Sequence, residues 1–372
     1  MSTDVIVAGA GPTGLMLAGE LALGGARVVV LERLAARTGQ SKALNLQPRS
    51  AEVLAHRGLL DDILAVASAR LPGGHFAGIP LDYSTLRTPF PYQIGVPQAR
   101  VEERLAAWAT GLGAEIRYGE PVGSFSQDAS GVTVNGMRAG YLVGCDGARS
   151  VVRNGLRVDF PGRDGRMCAL VADVTLVGGG PTRWTLPEPK GDGLLTVLPL
   201  GEGVFRVLAA GPRQTAAAKD DPVSAGEVAE ALAGGGLTLG EVRWASRFTD
   251  ATRQAARYRT GRVFLAGDAA HVHSPAGGQG LNLGLQDAFN LGGKLAAVIR
   301  GESGDDLLDT YHAERHPVAA RVLQSTRAQG VLLVPDEDVA ALREVFAELV
   351  DRRALAERVA GLDHDNGPLT RS

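Results

Sequence analysis

Cysteine is nearly absent from this sequence: only Cys145 and Cys168 occur in 372 residues. Two thiols cannot build a disulfide framework or a cysteine-rich metal site, and they fit a reducing, cytoplasmic setting. Long hydrophobic runs are missing as well. The longest, such as "VVVLE" and "VLLVP", fall far short of the roughly 20 apolar residues that a membrane-spanning helix needs. The N-terminus passes from "MSTD" straight into a buried-strand pattern, with no signal-peptide pattern before it. Charge of one sign is not in excess either. The net charge is -3 and no basic run marks a nucleic-acid partner. What is abundant is glycine, with 50 residues dispersed between apolar segments. That distribution reads as many tight turns, not low complexity. With 45% hydrophobic residues the chain has ample material for a core, and its length suits two joined domains.

The N-terminal stretch "DVIVAGAGPTGLMLAGELALGGARVVVLER" reads as strand, glycine-rich turn, helix and strand. Gly9, Gly11 and Gly14 fit G-x-G-x-x-G in the βαβ context that gives this motif its meaning. Gly9 suits the tight turn, Gly11 a close backbone approach to a pyrophosphate, and Gly14 the packing of helix on strand. Pro12 and Thr13 open the helix, whose N–H groups and positive end favour phosphate. Glu32 closes the second strand, where a carboxylate accepts from two ribose hydroxyls and repels a 2′-phosphate. The stationary dinucleotide is therefore FAD or NAD, not NADP. No second complete fingerprint occurs.

Two more strand-to-acid units follow. "YLVGCDGARSVVR" carries an apolar run into Asp146, and "GRVFLAGDAAH" carries another into Asp268. "PAGGQGLN" then bends the chain into a helix beginning near Leu281, with Ala288, Leu291, Leu295 and Val298 on one face. This triple pattern resembles the group A flavoprotein monooxygenases, the FAD-dependent aromatic hydroxylases. Within them it is most like the hydroxylases of bacterial aromatic polyketide pathways, through "LERLAARTGQSKALNLQPRSAEVLAHRG", "GHFAGIPLDYSTL", "VPQARVEERLAAWATGLGAEIRYG" and "HSPAGGQGLNLGLQDAFNLGGKLAAV". The resemblance covers nearly the whole chain.

The resemblance implies an α/β fold: a Rossmann-like FAD-binding domain of the glutathione-reductase type, interleaved with an antiparallel-sheet substrate domain and followed by C-terminal helices. The FAD-binding domain is expected as 1–71, 98–161 and 251–300, the substrate domain as 72–97 and 162–250, and the helices as 301–372, packed on both. FAD is expected to be tight and non-covalent, with NADPH or NADH as a transient donor and dioxygen as co-substrate. By the same resemblance no side chain is catalytic, because a flavin C4a-hydroperoxide hydroxylates an electron-rich, polyketide-like ring. Asp268 would bind a ribityl hydroxyl, and it also fits a helix N-cap. Pro275, Gly278, Gly280, Leu281 and Asn282 would line the flavin, with backbone N–H groups at the pyrimidine edge. Arg33 would lie over the adenine, and Val122 would offer it backbone groups. Lys42, where the family usually has Arg, would contact the pyrophosphate or the moving flavin. Gln98 would bond the ribityl or phosphate region. Gly293 replaces the family's usual Trp and weakens its helix slightly.

On the substrate side, "RWTLPEP", "GLLTVLPLGEGVFRVLAAGP" and "EVRWASRFTD" read as strands of a large antiparallel sheet, with "DPVSAGEVAEALAG" a helix across its back. Asn135-Gly136 signals a hairpin within the FAD-binding domain. Phe76, Tyr83, Phe90 and Trp184 are candidates for an aromatic-binding wall, with Pro275 and Gly277 beneath the substrate. His271 and His273 lack an acid or Cys at ligand spacing, so no metal is expected and local hydrogen bonds suit them better. Pro317 should kink or end a helix carrying Leu307, Tyr311, Ala319, Val322 and Leu323. Val339, Leu342, Phe346, Leu349, Leu355 and Val359 form a second apolar pattern, ahead of a polar tail, "DHDNGPLTRS". The thioredoxin-like domain common in the polyketide members is expected to be absent, and a monomer is favoured over a dimer. The motifs leave open an antibiotic-inactivating monooxygenase of the tetracycline or rifamycin type, and a non-hydroxylating FAD redox module.

Overall fold

The computed structural model describes residues 3–187 and 189–363, so the polar tail from His364 onward lies outside the described residues. Strand β1 (Thr3–Ala8) holds Val5, Ile6 and Val7 with no exposed surface, as an apolar run covered on both faces should be. It pairs with β2 (Val28–Glu32), and β2 pairs with β3 (Glu115–Tyr118). On its other side β1 pairs with β4 (Met137–Gly144), which pairs with strand Val263–Leu265. All four of these pairings are parallel. The expected hairpin leads into β4, with φ of 50° at Asn135 and 83° at Gly136.

Helix α1 (Pro12–Leu23) starts with Pro12 behind Gly11, a position where the missing N–H costs nothing. Its entry is packed at backbone distance. A Cβ on Gly14 would sit 2.0 Å from the Gly9 carbonyl oxygen, and one on Gly9 would sit 2.5 Å from that of Cys145. Gly9 also has φ +101°, which a side chain disfavours. Helix α2 (Gln98–Gly111) packs on α1. Further along α1, Glu20 takes Arg57 through two bonds of 2.7 and 2.8 Å. Burial pushes the Glu20 carboxyl up and Arg57 opposes the shift without cancelling it.

The second sheet holds β5 (Cys168–Val177), β6 (Gly193–Gly201), β7 (Val204–Ala210) and β8 (Thr238–Thr249). They run antiparallel in the order β6, β7, β5, β8, with the short strand Pro189–Lys190 at the β6 edge. Helix α3 (Ala225–Ala233) covers one face, where Val228 and Leu232 meet Leu170, Ala172, Val174 and Val207. The strand expected at "RWTLPEP" is not formed. Arg183–Pro187 is irregular and pairing begins only at Pro189, on the edge strand where a proline is tolerated, whereas Pro187 lacks the N–H that a ladder requires. Within 72–97, Gln93–Gly95 pairs with Asn45–Leu46 and Ala69–Leu71, while Gly73–Phe76 pairs with Ile79–Asp82; neither joins the five-stranded sheet.

Helix α4 (Gly280–Ile299) begins one residue before the expected start and buries Ala288, Leu291 and Leu295. Helix α5 (Asp309–Leu332) runs through Pro317 instead of ending there. Pro317 is exposed, and buried Tyr311, Arg315, Val318 and Ala319 anchor the helix on both sides of it. The second C-terminal pattern divides into α6 (Glu337–Leu349) and α7 (Arg352–Ala360), because Asp351 accepts from the N–H groups of Arg353 and Ala354 and starts a new helix. Leu342 and Leu349 are consequently 55% and 81% exposed, not packed. Phe346 meets Phe76 across α6, and Leu355 and Val359 of α7 are buried against the same hairpin. Among the described residues no helix is long and apolar enough to cross a membrane.

Two glycines should respond oppositely to substitution. Gly14→Val should cost about 3 kcal/mol, because the Gly9 backbone it would strike cannot yield. Gly293→Ala should add about 0.5–1 kcal/mol, because a Cβ there meets nothing within 4 Å and Ala is the better helix former. Urea midpoints of the two variants against wild type check both signs.

Candidate functional site

Because the strands are parallel, their carboxyl ends lie along one edge, and the sequence-predicted residues follow those ends in turn. Gly9–Gly14 follow β1, Glu32 ends β2, Val122 follows β3, Asp146 follows β4, and Asp268 follows Val263–Leu265. Glu32 Oε2 accepts from the Ala10 N–H at 2.8 Å and Oε1 from the Leu34 N–H at 2.9 Å. Each carboxylate oxygen retains capacity for a second donor. Asp146 Oδ2 accepts from the N–H groups of Val151 and Val152 at 2.7 and 3.2 Å. Its Oδ1 is buried and has no partner among the described residues. Asp268 is exposed and accepts no hydrogen bond among them. It is not an N-cap: Ala266 holds that position, and Asp268 lies inside the single turn Gly267–Ala269.

The bend before α4 is held by side chains from far away in sequence. Buried Asn282 accepts from the Gln47 N–H at 2.7 Å and donates to the carbonyls of Gly278 and Asn45 at 2.8 and 3.2 Å. Gln47 Nε2 donates to the Gly277 carbonyl at 3.0 Å, and the Tyr83 hydroxyl donates to Gln47 Oε1 at 3.0 Å. Gly278 has φ +62°, and a Cβ there would fall 2.0 Å from Asn45 Oδ1, so this glycine answers to protein packing. Pro275 is exposed, and Gly277, Gly280 and Leu281 are half-buried. Behind the bend, Asp287 on α4 has no exposed surface and binds His271 Nε2 at 2.6 Å and Arg315 Nε at 2.8 Å. Burial pushes its carboxyl up, but His271 and Arg315 outweigh burial and hold it below the usual carboxylate range. His273 Nδ1 lies 2.7 Å from the Ser274 carbonyl.

A cradle of this kind has a close match among known proteins. The family described as FAD binding domain matches residues 2–326. The chain belongs to that family. It is 47% identical to 12-dehydrotetracycline 5-monooxygenase/anhydrotetracycline 6-monooxygenase of Streptomyces rimosus subsp. rimosus, over 98% of this chain and 77% of that protein. It is 48% identical to a rifampicin monooxygenase of Streptomyces venezuelae, over 96% of this chain and 78% of that protein. The structure of CabE, an aromatic hydroxylase from angucycline biosynthesis, matches with a TM-score of 0.89 and 41% identity, over 99% of this chain and 77% of that one. The chain is an enzyme, a FAD-dependent flavoprotein monooxygenase.

The residues present fit FAD. A Cβ on Gly11 would meet no protein atom within 4 Å, so packing gives no reason for that glycine, whereas a pyrophosphate does. Asp146 Oδ1 lacks a donor and Asp268 faces outward, as ligand contacts require. The other candidates are spread more widely. Arg33 and Lys42 are exposed, Val122 is buried against the main core, and Gln98 opens α2, where it accepts from the Ala43 N–H at 3.1 Å and donates to Glu102 at 2.7 Å.

The proposed aromatic wall does not assemble. Phe76 is buried against Phe346, and Tyr83 is buried with its hydroxyl on Gln47, so both are core residues. Phe90 stands edge-on to Tyr92 beside the main core. Only Trp184 reaches toward the second sheet, its indole N–H donating to the Pro199 carbonyl at 3.2 Å. Sequence reasoning missed Arg206, which is 1% exposed. It binds both oxygens of Asp173 and donates to the Ser41 carbonyl at 2.5 Å, joining the sheet to the Lys42 segment. An Arg in an ordinary strand pattern carries no signal of such a contact.

Glu32→Ala should lose charge-assisted bonds worth ~1.5–3 kcal/mol each, and Gly11→Val should obstruct the pyrophosphate. Both should purify with reduced flavin, Gly11→Val most severely, as measured by the ratio of flavin to protein absorbance. Full flavin occupancy in both would remove the N-terminal turn from the site.

Proposed function

We propose that this enzyme consumes NADPH or NADH to hydroxylate an aromatic, polyketide-like substrate held between the cofactor edge and one face of the five-stranded sheet. The observation that carries this reading is the contact of Arg206 with Ser41. Side chains alternate along a strand, so the face opposite α3 carries Arg206 and Leu208 of β7, Asp173 and Val171 of β5, Thr196 of β6 and Trp244 and Ser246 of β8. That is the face turned to the cofactor side. Leu208 and Ser246 are half-buried on this face and their register neighbours Thr196 and Val171 are buried, together an apolar patch with two hydroxyls suited to a planar, oxygenated ring system.

FAD, when bound, supplies the electron transfer and oxygen activation that no side chain can perform. The chain's own work is to bind and orient. Glu32 and the α1 N-terminus would hold the nucleotide end, and Asp146 and Asp268 would hold the middle. The first-turn N–H groups of α4, from Gly280 to Asn282, would serve the flavin end, because the positive end of the helix favours negative charge. The sheet face excludes water from the reacting ring. The one complete fingerprint serves FAD, so the nicotinamide donor binds transiently.

A second reading is inactivation of an antibiotic, which the likeness to a rifampicin monooxygenase supports. Product analysis decides between them. Incubation with NADPH, labelled dioxygen and either phenolic polyketides or rifamycins should yield one product carrying one labelled oxygen. Donor oxidation unaffected by every aromatic offered would sink both readings. Leu208→Trp should raise KM for an accepted substrate roughly tenfold, a loss of about 1.4 kcal/mol, with flavin content unchanged.

A further inference from the structure

The turn Gly267–Ala269, which presents Asp268, is held at both ends by buried charges. At its amino end the Gly267 N–H donates to Asp287 Oδ2 at 3.2 Å. At its carboxyl end the Ala269 carbonyl accepts from Arg153 Nη1 at 3.0 Å. Asp287 has no exposed surface and Arg153 is 5% exposed. Each charge is tied down elsewhere. Asp287 holds His271 and Arg315, whereas Arg153 donates to the Ala148 carbonyl at 2.8 Å and lies 3.8 Å over the Phe160 ring. An anion at the N–H end and a cation at the C=O end match the direction of the peptide dipoles in the turn. The Arg153 contact also spans two cofactor turns, because Ala148 follows Asp146 and Ala269 follows Asp268. Stability alone does not account for this arrangement, since packed apolar residues would serve as well as buried ions. Orientation does, because opposite charges at the two ends leave the turn little freedom to rotate.

We propose that Asp287 and Arg153 are positioning residues for FAD, forming a two-ended electrostatic clamp that aims the Asp268 carboxylate at the cofactor. The inference rests on FAD being the resident cofactor. Neither residue needs to touch FAD. Asp287 is behind the turn, and Arg153 spends its donors on backbone carbonyls.

The test compares holoprotein carrying Asp287→Asn, Arg153→Met or Arg153→Lys with a control, Glu20→Gln, which weakens another buried ion pair, Glu20–Arg57, away from this turn. FAD release on dilution is followed by recovery of flavin fluorescence, and amide hydrogen exchange is read over residues 263–272. Asp287→Asn and Arg153→Met should each raise the FAD dissociation constant roughly tenfold or more, as expected for loss of a charge-assisted bond, and speed exchange in that segment. Arg153→Lys should recover part of the affinity, since an ammonium can serve one carbonyl but lacks the fork that spans two. Glu20→Gln should lower the melting temperature yet leave both readouts at wild-type values. Wild-type FAD retention in the Asp287 and Arg153 variants, or equal FAD loss in Glu20→Gln, would overturn the clamp. If Asp287→Asn does not fold, the two Arg153 variants decide the question by the same readouts. Wild-type protein that purifies without flavin would overturn the FAD assignment itself, a failure distinct from that of the clamp.

Discussion

Parallel pairing forces the carboxyl ends of β1, β2, β3, β4 and Val263–Leu265 onto one edge of a single sheet. Beyond that edge the chain has left the ladder, so its backbone groups and short polar side chains are free to face a ligand. Gly9, Glu32, Asp146 and Asp268 are far apart in sequence yet become neighbours by this rule alone. The core enforces it: consecutive residues Val5, Ile6 and Val7, Leu142 and Val143, and Phe264 and Leu265 are all essentially buried, so both faces of these strands are covered.

The edge sets where the acids are, but not how they point. Orientation comes from buried polar contacts on helices and loops that pack behind it. Asn282 and Gln47 lock the bend before α4, and Asp287 gathers His271 and Arg315 beneath the Asp268 turn. Each interaction is costly to bury unless paired; of the ring nitrogens of His271, Nε2 meets Asp287 while Nδ1 has no partner among the described residues. The second sheet is attached in the same way. Arg206, buried among Asp173, Ser41 and Trp244, ties its open face to the segment that carries Lys42. The cofactor edge and the second sheet are thereby joined through a buried charged contact.

The βαβ unit, the hairpin at Asn135-Gly136, the helix after "PAGGQG" and the helix behind the second sheet were all legible in the sequence, because each is written in local periodicity and turn chemistry. The acids at strand ends were legible for the same reason. Less was legible where local signals compete. "RWTLPEP" has β-forming residues but also two prolines, and the prolines prevail. Pro317 signals a kink or an end; the helix does not end there, because packing on both sides of it carries α5 through. Asp268 looks like a cap because Asp often is one, but the turn it occupies is too short and begins a residue earlier.

The sequence by itself determined the elements, their order and the chemistry waiting at their ends, since these depend on residues a few positions apart. Only the tertiary structure decided which side chains face the site. Gln47 meets Asn282 across 235 positions and Arg206 meets Ser41 across 165. Phe76 and Tyr83, aromatic and apolar enough for a wall, went instead into the core beneath α6 and α7. The reason is physical. A strand offers its residues alternately to two faces, and nothing within the strand says which face another module will cover. That choice belongs to the packing of whole elements, where burying the most apolar surface and pairing every buried charge decide together.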